Sequence, residues 1–164
     1  MIYQVQTARV AETALSKQLN SWLEERQQLL RLFWQLSAQN KAAELAPSTI
    51  VWCKELSQYR LKRFVESLVD YLSYGHLCVY ENLIRQIEQQ DGQLPLDLQL
   101  GACVAAIGMN TDHLLEFDAL YQEKGHDLLT LEQYSGQLSA LGEHLADLFE
   151  LEDILLHRSK CSNL

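Results

Sequence analysis

The stretch LSKQLNSWLEERQQLLRLFWQL, residues 15–36, decides the fold. Leu15, Leu19, Trp22, Arg26, Leu29, Phe33 and Leu36 follow one another at alternating intervals of four and three residues. That spacing lines one side of an α-helix and is the seam of a helical bundle. Outward from this stretch the same period persists. A polar break covers Asn40 to Thr49, with Pro47 stopping the first helix and Ser48 or Thr49 placed to cap the next. A second helix runs from about Ile50 to Tyr74, its inner face carried by Leu61, Val65, Leu68 and Leu72, and Gly75 is expected to take the left-handed conformation that ends a helix. A shorter helix follows from about Leu77 to Gln90, with Leu77, Tyr80, Ile84 and Ile87 inward, and Asp91 to Pro95 reads as a turn. The next helix, from about Leu96 to Glu123, turns Val104, Ile107, Thr111, Leu114 and Tyr121 inward and ends at Lys124-Gly125-His126. The last, from about Leu131 to His157, carries Leu138, Leu141, Leu145, Leu148 and Leu155.

No segment alternates with period two, and no repeat of solenoid length is present. The expectation is an all-α fold: an antiparallel bundle of four long helices plus shorter flanking helices, forming one domain over residues 1–164. With 48% hydrophobic and 21% charged residues and only two prolines, the composition is that of a globular chain, neither disordered nor fibrous. The longest apolar run, around Cys103–Met109, falls far short of the roughly 20 residues of a membrane span. The opening MIYQVQTARV lacks the basic and apolar segments of a secretory signal, so a cytoplasmic location is expected. Cys53, Cys78, Cys103 and Cys161 lie far apart with no C-x-x-C pair, which points to reduced thiols in or near the core.

Charge is distributed unevenly. The formal net charge is −9, and from Asp112 to Asp153 eleven acidic residues stand against one basic residue, Lys124. Such a surface repels nucleic acid, whose binding requires neutralised phosphates, and attracts basic partners. By itself the charge is more simply the mark of a solubilising surface.

Catalytic and metal-binding patterns are sparse. The Glu-x-x-His spacing of di-metal bundles occurs once, at Glu123–His126, across a helix-ending glycine. His113 with Glu116, and Asp153 with His157, stand about one turn apart, a spacing that suits a cation and equally suits a surface salt link. Phosphate-cradling glycine loops and nucleophile elbows are missing from the sequence. Arg26, at a seam position, requires a carboxylate from a neighbouring helix or must snorkel outward. Trp22, Phe33 and Trp34 read as core aromatics, and Asn110 and Thr111 as structural links.

Asp70 projects from the side of its helix opposite the apolar stripe, and Tyr74, one turn on, shares its face. A carboxylate and an aromatic ring beside a glycine bend have the form of a docking surface. His76 has two readings, as a group bonding a free carbonyl at the bend or as part of that surface.

The run Phe64-Val65-Glu66-Ser67-Leu68-Val69-Asp70-Tyr71-Leu72-Ser73-Tyr74-Gly75-His76 resembles the signature of the Rsd/AlgQ family, regulators of the primary sigma factor. Trp22–Leu30, Asn110-Thr111 with Leu114–Phe117, Leu141–Leu145 and Phe149–Asp153 agree with it in order and spacing. Val65 and Leu77 depart from the family's usual Cys and Phe but stay apolar. The resemblance implies a helical bundle, and since the residues carry no catalytic or metal-binding pattern of weight, neither an enzyme nor a metal or other cofactor is expected. It implies binding to the C-terminal, promoter-recognising domain of the primary sigma factor, holding it from core RNA polymerase and promoter DNA and favouring alternative sigma factors in stationary phase. The family's functional acid falls on Asp70, and the expected partner-binding set is Ser67, Asp70, Tyr74 and His76. No direct nucleic-acid or membrane contact is expected. The alternatives are a metal- or small-ligand-binding bundle and a helical adaptor for another basic protein.

Overall fold

The computed structural model describes residues 2–45, 54–90 and 98–161, with side-chain environments over 14–45, 54–89 and 98–159. Five α-helices form: α1 (Ile2–Leu45), α2 (Lys54–Tyr74), α3 (Tyr80–Gln90), α4 (Leu98–Lys124) and α5 (Tyr134–Cys161). A π-helical turn, Gly75–Val79, joins α2 to α3, and a 3-10 segment, Gly125–Thr130, follows α4. No strand occurs among the described residues. The break at Pro47, the cap at Ser48 or Thr49, the turn at Asp91–Pro95 and the side chains of Cys53 and Cys161 lie outside them.

The four long helices run up, down, up, down, and side-chain pairings establish it. Along α1 and α2, Trp22 meets Tyr71, Phe33 meets Phe64 and Gln39 meets Arg60, so one numbering rises as the other falls. Cys103 bonds the Leu151 carbonyl and Asn110 meets His144, which makes α4 and α5 antiparallel. Phe64 with Phe117 and His76 with Thr111 do the same for α2 and α4. Asn40 with Ser135 and Arg26 with Asp153 do so for α1 and α5. The antiparallel bundle expected from the periodicity is the observed fold. Gly142 on α5 lets α1 approach: a Cβ there would lie 2.8 Å from the Phe33 ring.

The core follows the seams. Trp22, Leu29 and Leu36 of α1 are buried against Leu61, Phe64, Leu68 and Tyr71 of α2, with Ile107 and Leu114 of α4 and Leu145, Leu148 and Leu155 of α5. Gly125, at φ 56°, has the left-handed conformation that ends α4, as the sequence suggests.

Gly75 differs from expectation. It has no positive φ; instead the Tyr80 amide reaches back five residues to the Gly75 carbonyl, and the chain continues as one widened helix. Its requirement for glycine is steric, because a Cβ would lie 2.9 Å from the Tyr80 ring. Since the helix never breaks, the inner face of α2 continues through the widened turn instead of restarting after it. Leu77 therefore points outward, 78% exposed, while Val79, Tyr80, Leu83 and Ile87 turn inward. Two further inward assignments fail by one position on the wheel. Cys103 is buried on α4 where Val104 was expected, and Trp34, adjacent to Phe33, is 70% exposed.

Candidate functional site

The outward face of α2 is built as the wheel requires, with Leu68, Tyr71 and Leu72 buried and Asp70 in solvent between them. Ser67, one turn earlier, and Tyr74, one turn later, are half-buried, and Tyr74 leans on the core cluster. Asp70 has no ion-pair partner among the described residues. Its neighbour on α1 is a like charge: partial burial, then the Asp70 charge, push the Glu25 carboxyl above its ordinary value. Two carboxylates thus stand near one another, one on α1 and one on α2, an arrangement that favours an incoming cation.

His76 belongs to a different neighbour. Its Nε2 lies 2.9 Å from Thr111 Oγ1 on α4, and Thr111 Oγ1 itself donates to the Ile107 carbonyl at 2.9 Å. The Thr111 hydrogen being committed, its oxygen must accept, so His76 carries its hydrogen on Nε2 and leaves Nδ1 open. Its ring stands edge-on to Tyr80 at 4.9 Å. Burial lowers its pKa, opposed by the Asp112 charge. Of the four residues singled out in the sequence, Ser67, Asp70 and Tyr74 follow one face of α2, and His76 ties the π turn to α4.

Beneath that face lies a polar cluster that the sequence reading missed. Glu152 of α5 is completely buried. Its Oε2 accepts the Tyr71 hydroxyl and its Oε1 the Tyr80 hydroxyl, each at 2.5 Å. Burial, against these bonds and the nearby Arg26 charge, pushes its carboxyl up to about 7. Both phenols are pushed upward as well, by burial first and then by the Glu152 charge. Trp22 stacks on Tyr71, centroids 5.7 Å apart, and meets Tyr80 edge-on at 5.9 Å.

Arg26 finds its carboxylate here. Nη1 and Nη2 donate to Asp153 Oδ1 and Oδ2 at 2.6 and 3.3 Å, and the guanidinium lies 4.3 Å from the centre of the Phe149 ring. Burial works against its charge, but the Asp153 bond and the fields of Tyr71, Glu152 and Asp153 outweigh it. The signal for Glu152 was in the seam: Leu141, Leu145, Leu148, Glu152 and Leu155 alternate by four and three. Counted only as one of the acidic residues of a charged surface, it is instead the core acid.

Among the described residues, groups from the spacings that suit a cation have other neighbours. His113 and Glu116 stand 3.7 Å apart, the His113 ring stacks on His144 at 4.5 Å, and Asp153 is engaged by Arg26. Among the described residues no three His, Cys, Asp or Glu side chains converge on one point. Nor is any described helix long and apolar enough to cross a membrane.

Comparison with known proteins finds matches along nearly the full chain. Residues 1–159 match the family described as "Regulator of RNA polymerase sigma(70) subunit, Rsd/AlgQ". The chain is 29% identical over 164 residues to the "Regulator of sigma D" of Enterobacter sp. (strain 638), covering 100% of this chain and 93% of that one. It is 30% identical over 141 residues to the protein of the same name from Pectobacterium carotovorum subsp. carotovorum (strain PC1), covering 84% of each. With the Shigella dysenteriae serotype 1 (strain Sd197) protein of that name it shares 29% over 141 residues, 86% of this chain and 82% of the relative. This chain belongs to the Rsd/AlgQ family of regulators of the RNA polymerase sigma(70) subunit.

Proposed function

We propose that this chain acts by occlusion: it binds the C-terminal domain of the primary sigma factor and keeps it from core RNA polymerase and promoter DNA. The observation that carries the reading is the solvated Asp70 beside Glu25, with no cation of its own among the described residues, in a member of a sigma regulator family. A promoter-reading helix-turn-helix domain must present a basic surface to DNA. Asp70 supplies a carboxylate for a charge-assisted, bidentate bond to an arginine that otherwise holds phosphate. Ser67 and Tyr74 flank it, and His76 offers its open Nδ1 at the edge of the contact. The acidic surface of α4 and α5 speeds encounter with such a domain.

Occlusion requires no bond making or breaking, and the family is one of regulators rather than enzymes. The setting is the cytoplasm, where sigma and polymerase meet, and the consequence is wider use of alternative sigma factors in stationary phase. The test is competition. Purified chain is added to primary sigma factor and core polymerase, and holoenzyme is measured. The reading predicts less holoenzyme and a complex of this chain with sigma; undiminished holoenzyme at saturating chain contradicts it.

A further inference from the structure

Glu152 is the one fully buried carboxylate among the described residues, and its two bonds go to the two ends of a single structural feature. Tyr71 is the residue after Asp70. Tyr80 closes the π turn, its ring set against Gly75 and in T-shaped contact with His76. The stretch from Asp70 to His76 is therefore clamped from beneath at both ends by one side chain of α5. We propose that Glu152 is a positioning residue for the Asp70 surface, and that gain or loss of its proton couples that surface to pH. This rests on the functional reading above for what the surface binds, and deepens it by naming its regulation.

The chemistry follows from donor and acceptor counting. An ionised carboxylate only accepts, so both phenols donate to it and both ends of the clamp hold. When Glu152 gains a proton, one oxygen becomes a donor. The tyrosine facing that oxygen must then accept, and its own hydrogen turns away from Glu152. That end exchanges a charge-assisted bond for a weaker neutral one, and its phenol hydrogen is left to seek an acceptor in a core where Trp22 Nε1 already lacks one.

The groups facing Glu152 are Arg26 from α1, Tyr71 from α2, Tyr80 from α3 and Asp153 from its own helix. From α4, Cys103 bonds the adjacent Leu151 carbonyl. Arg26 divides its charge between Asp153 and Glu152, so it lowers the cost of burying the carboxylate without cancelling it. A proton is therefore exchanged near neutrality, where a surface carboxylate is long since ionised.

The test uses the full-length protein. Carboxyl carbon resonances of the free chain are followed by NMR from about pH 5 to about pH 9, together with the backbone amides of residues 67–80. One glutamate titrating near neutrality, missing in Glu152→Gln, with those amides moving in the same step, is expected. Affinity for the isolated sigma domain should fall on the order of fivefold from about pH 8 to about pH 6, and Glu152→Gln should lose this dependence. His76 and Glu25 remain in that variant, so any residual pH dependence belongs to them and to the partner. Should Glu152→Gln not fold, Tyr71→Phe and Tyr80→Phe must each move the titration upward, since each removes a donor that favours the ionised form.

A spectrum in which every glutamate titrates in the ordinary carboxylate range overturns the proposal, as does a neutral titration that leaves the amides still. Absence of sigma binding at every pH overturns the functional reading instead, while the titration of the free chain still decides the role of Glu152.

Discussion

The Tyr80 ring occupies the space that a side chain at Gly75 would fill: a Cβ on residue 75 would lie 2.9 Å from both Cζ and Oη of Tyr80. Tyr80 cannot retreat easily, because its hydroxyl is held by Glu152 and its ring by the edge of Trp22. Gly75→Ala is therefore expected to destabilise the fold by about 1–3 kcal/mol, an overpacking cost, although alanine is the better helix former. Urea unfolding of the two proteins measures this. Equal stability would mean that the π turn tolerates a side chain and that the Tyr80 contact is loose.

Arg26 and Asp153 form a pair of unequal partners, with side chains 14% and 63% exposed. Removing the exposed acid leaves an arginine still near Glu152 and Phe149, so Asp153→Ala should cost under about 1 kcal/mol. Removing the cation strips the Phe149 ring and leaves buried Glu152 without a neutralising charge, so Arg26→Ala should cost about 2 kcal/mol or more. The same variant should raise the Glu152 pKa above that of the wild type. Thermal or urea unfolding and the carboxyl titration check the two expectations separately.

The stability of the fold should carry the signature of Glu152. Its pKa rises from the ordinary 4.5 to about 7 on folding. Between those values the folded chain binds the proton that the unfolded chain has released, so the stability linked to this group falls as pH rises and is lost above about 7. The full effect is up to ~3 kcal/mol, of which about 1 kcal/mol falls between about pH 6 and about pH 8. Unfolding of the wild type and of Glu152→Gln at these two pH values isolates it. A wild type that gains stability over the interval relative to the variant would reverse the assigned direction.

The bundle was legible because its seams are long and regular. Leu138, Leu141, Leu145, Leu148 and Leu155 were assigned inward from spacing alone, and all are buried. The features that were not legible there have three physical causes. Gly75 suggests a left-handed helix end, whereas its use here is to leave room for a ring five residues away, and local spacing carries no record of that contact. Restarting the phase at the supposed break then put Leu77 inside. Glu152 is hidden by its charge, which ordinarily marks exposure, although its place between Leu148 and Leu155 marks it as interior. The partner of Arg26 was anticipated in kind but not in identity, because register between distant helices is set by packing. The Asp70 face was legible, being the geometric complement of a well-marked stripe.

Salt dependence separates two descriptions of the proposed complex. If an acidic surface meets a basic one, affinity for the sigma domain should fall severalfold between about 0.05 M and about 0.3 M salt, mostly through slower association. Stopped-flow kinetics at several salt concentrations would record it. Association rates indifferent to salt would indicate a mainly apolar contact.

The most direct test is calorimetric titration of the isolated C-terminal domain of the primary sigma factor into the wild type, Asp70→Ala and Asp70→Lys. Asp70 is exposed and outside the core, so helical content should stay unchanged in all three. The account predicts about tenfold or more weaker binding for alanine and weaker binding still for lysine. Equal affinity for the three proteins would contradict it.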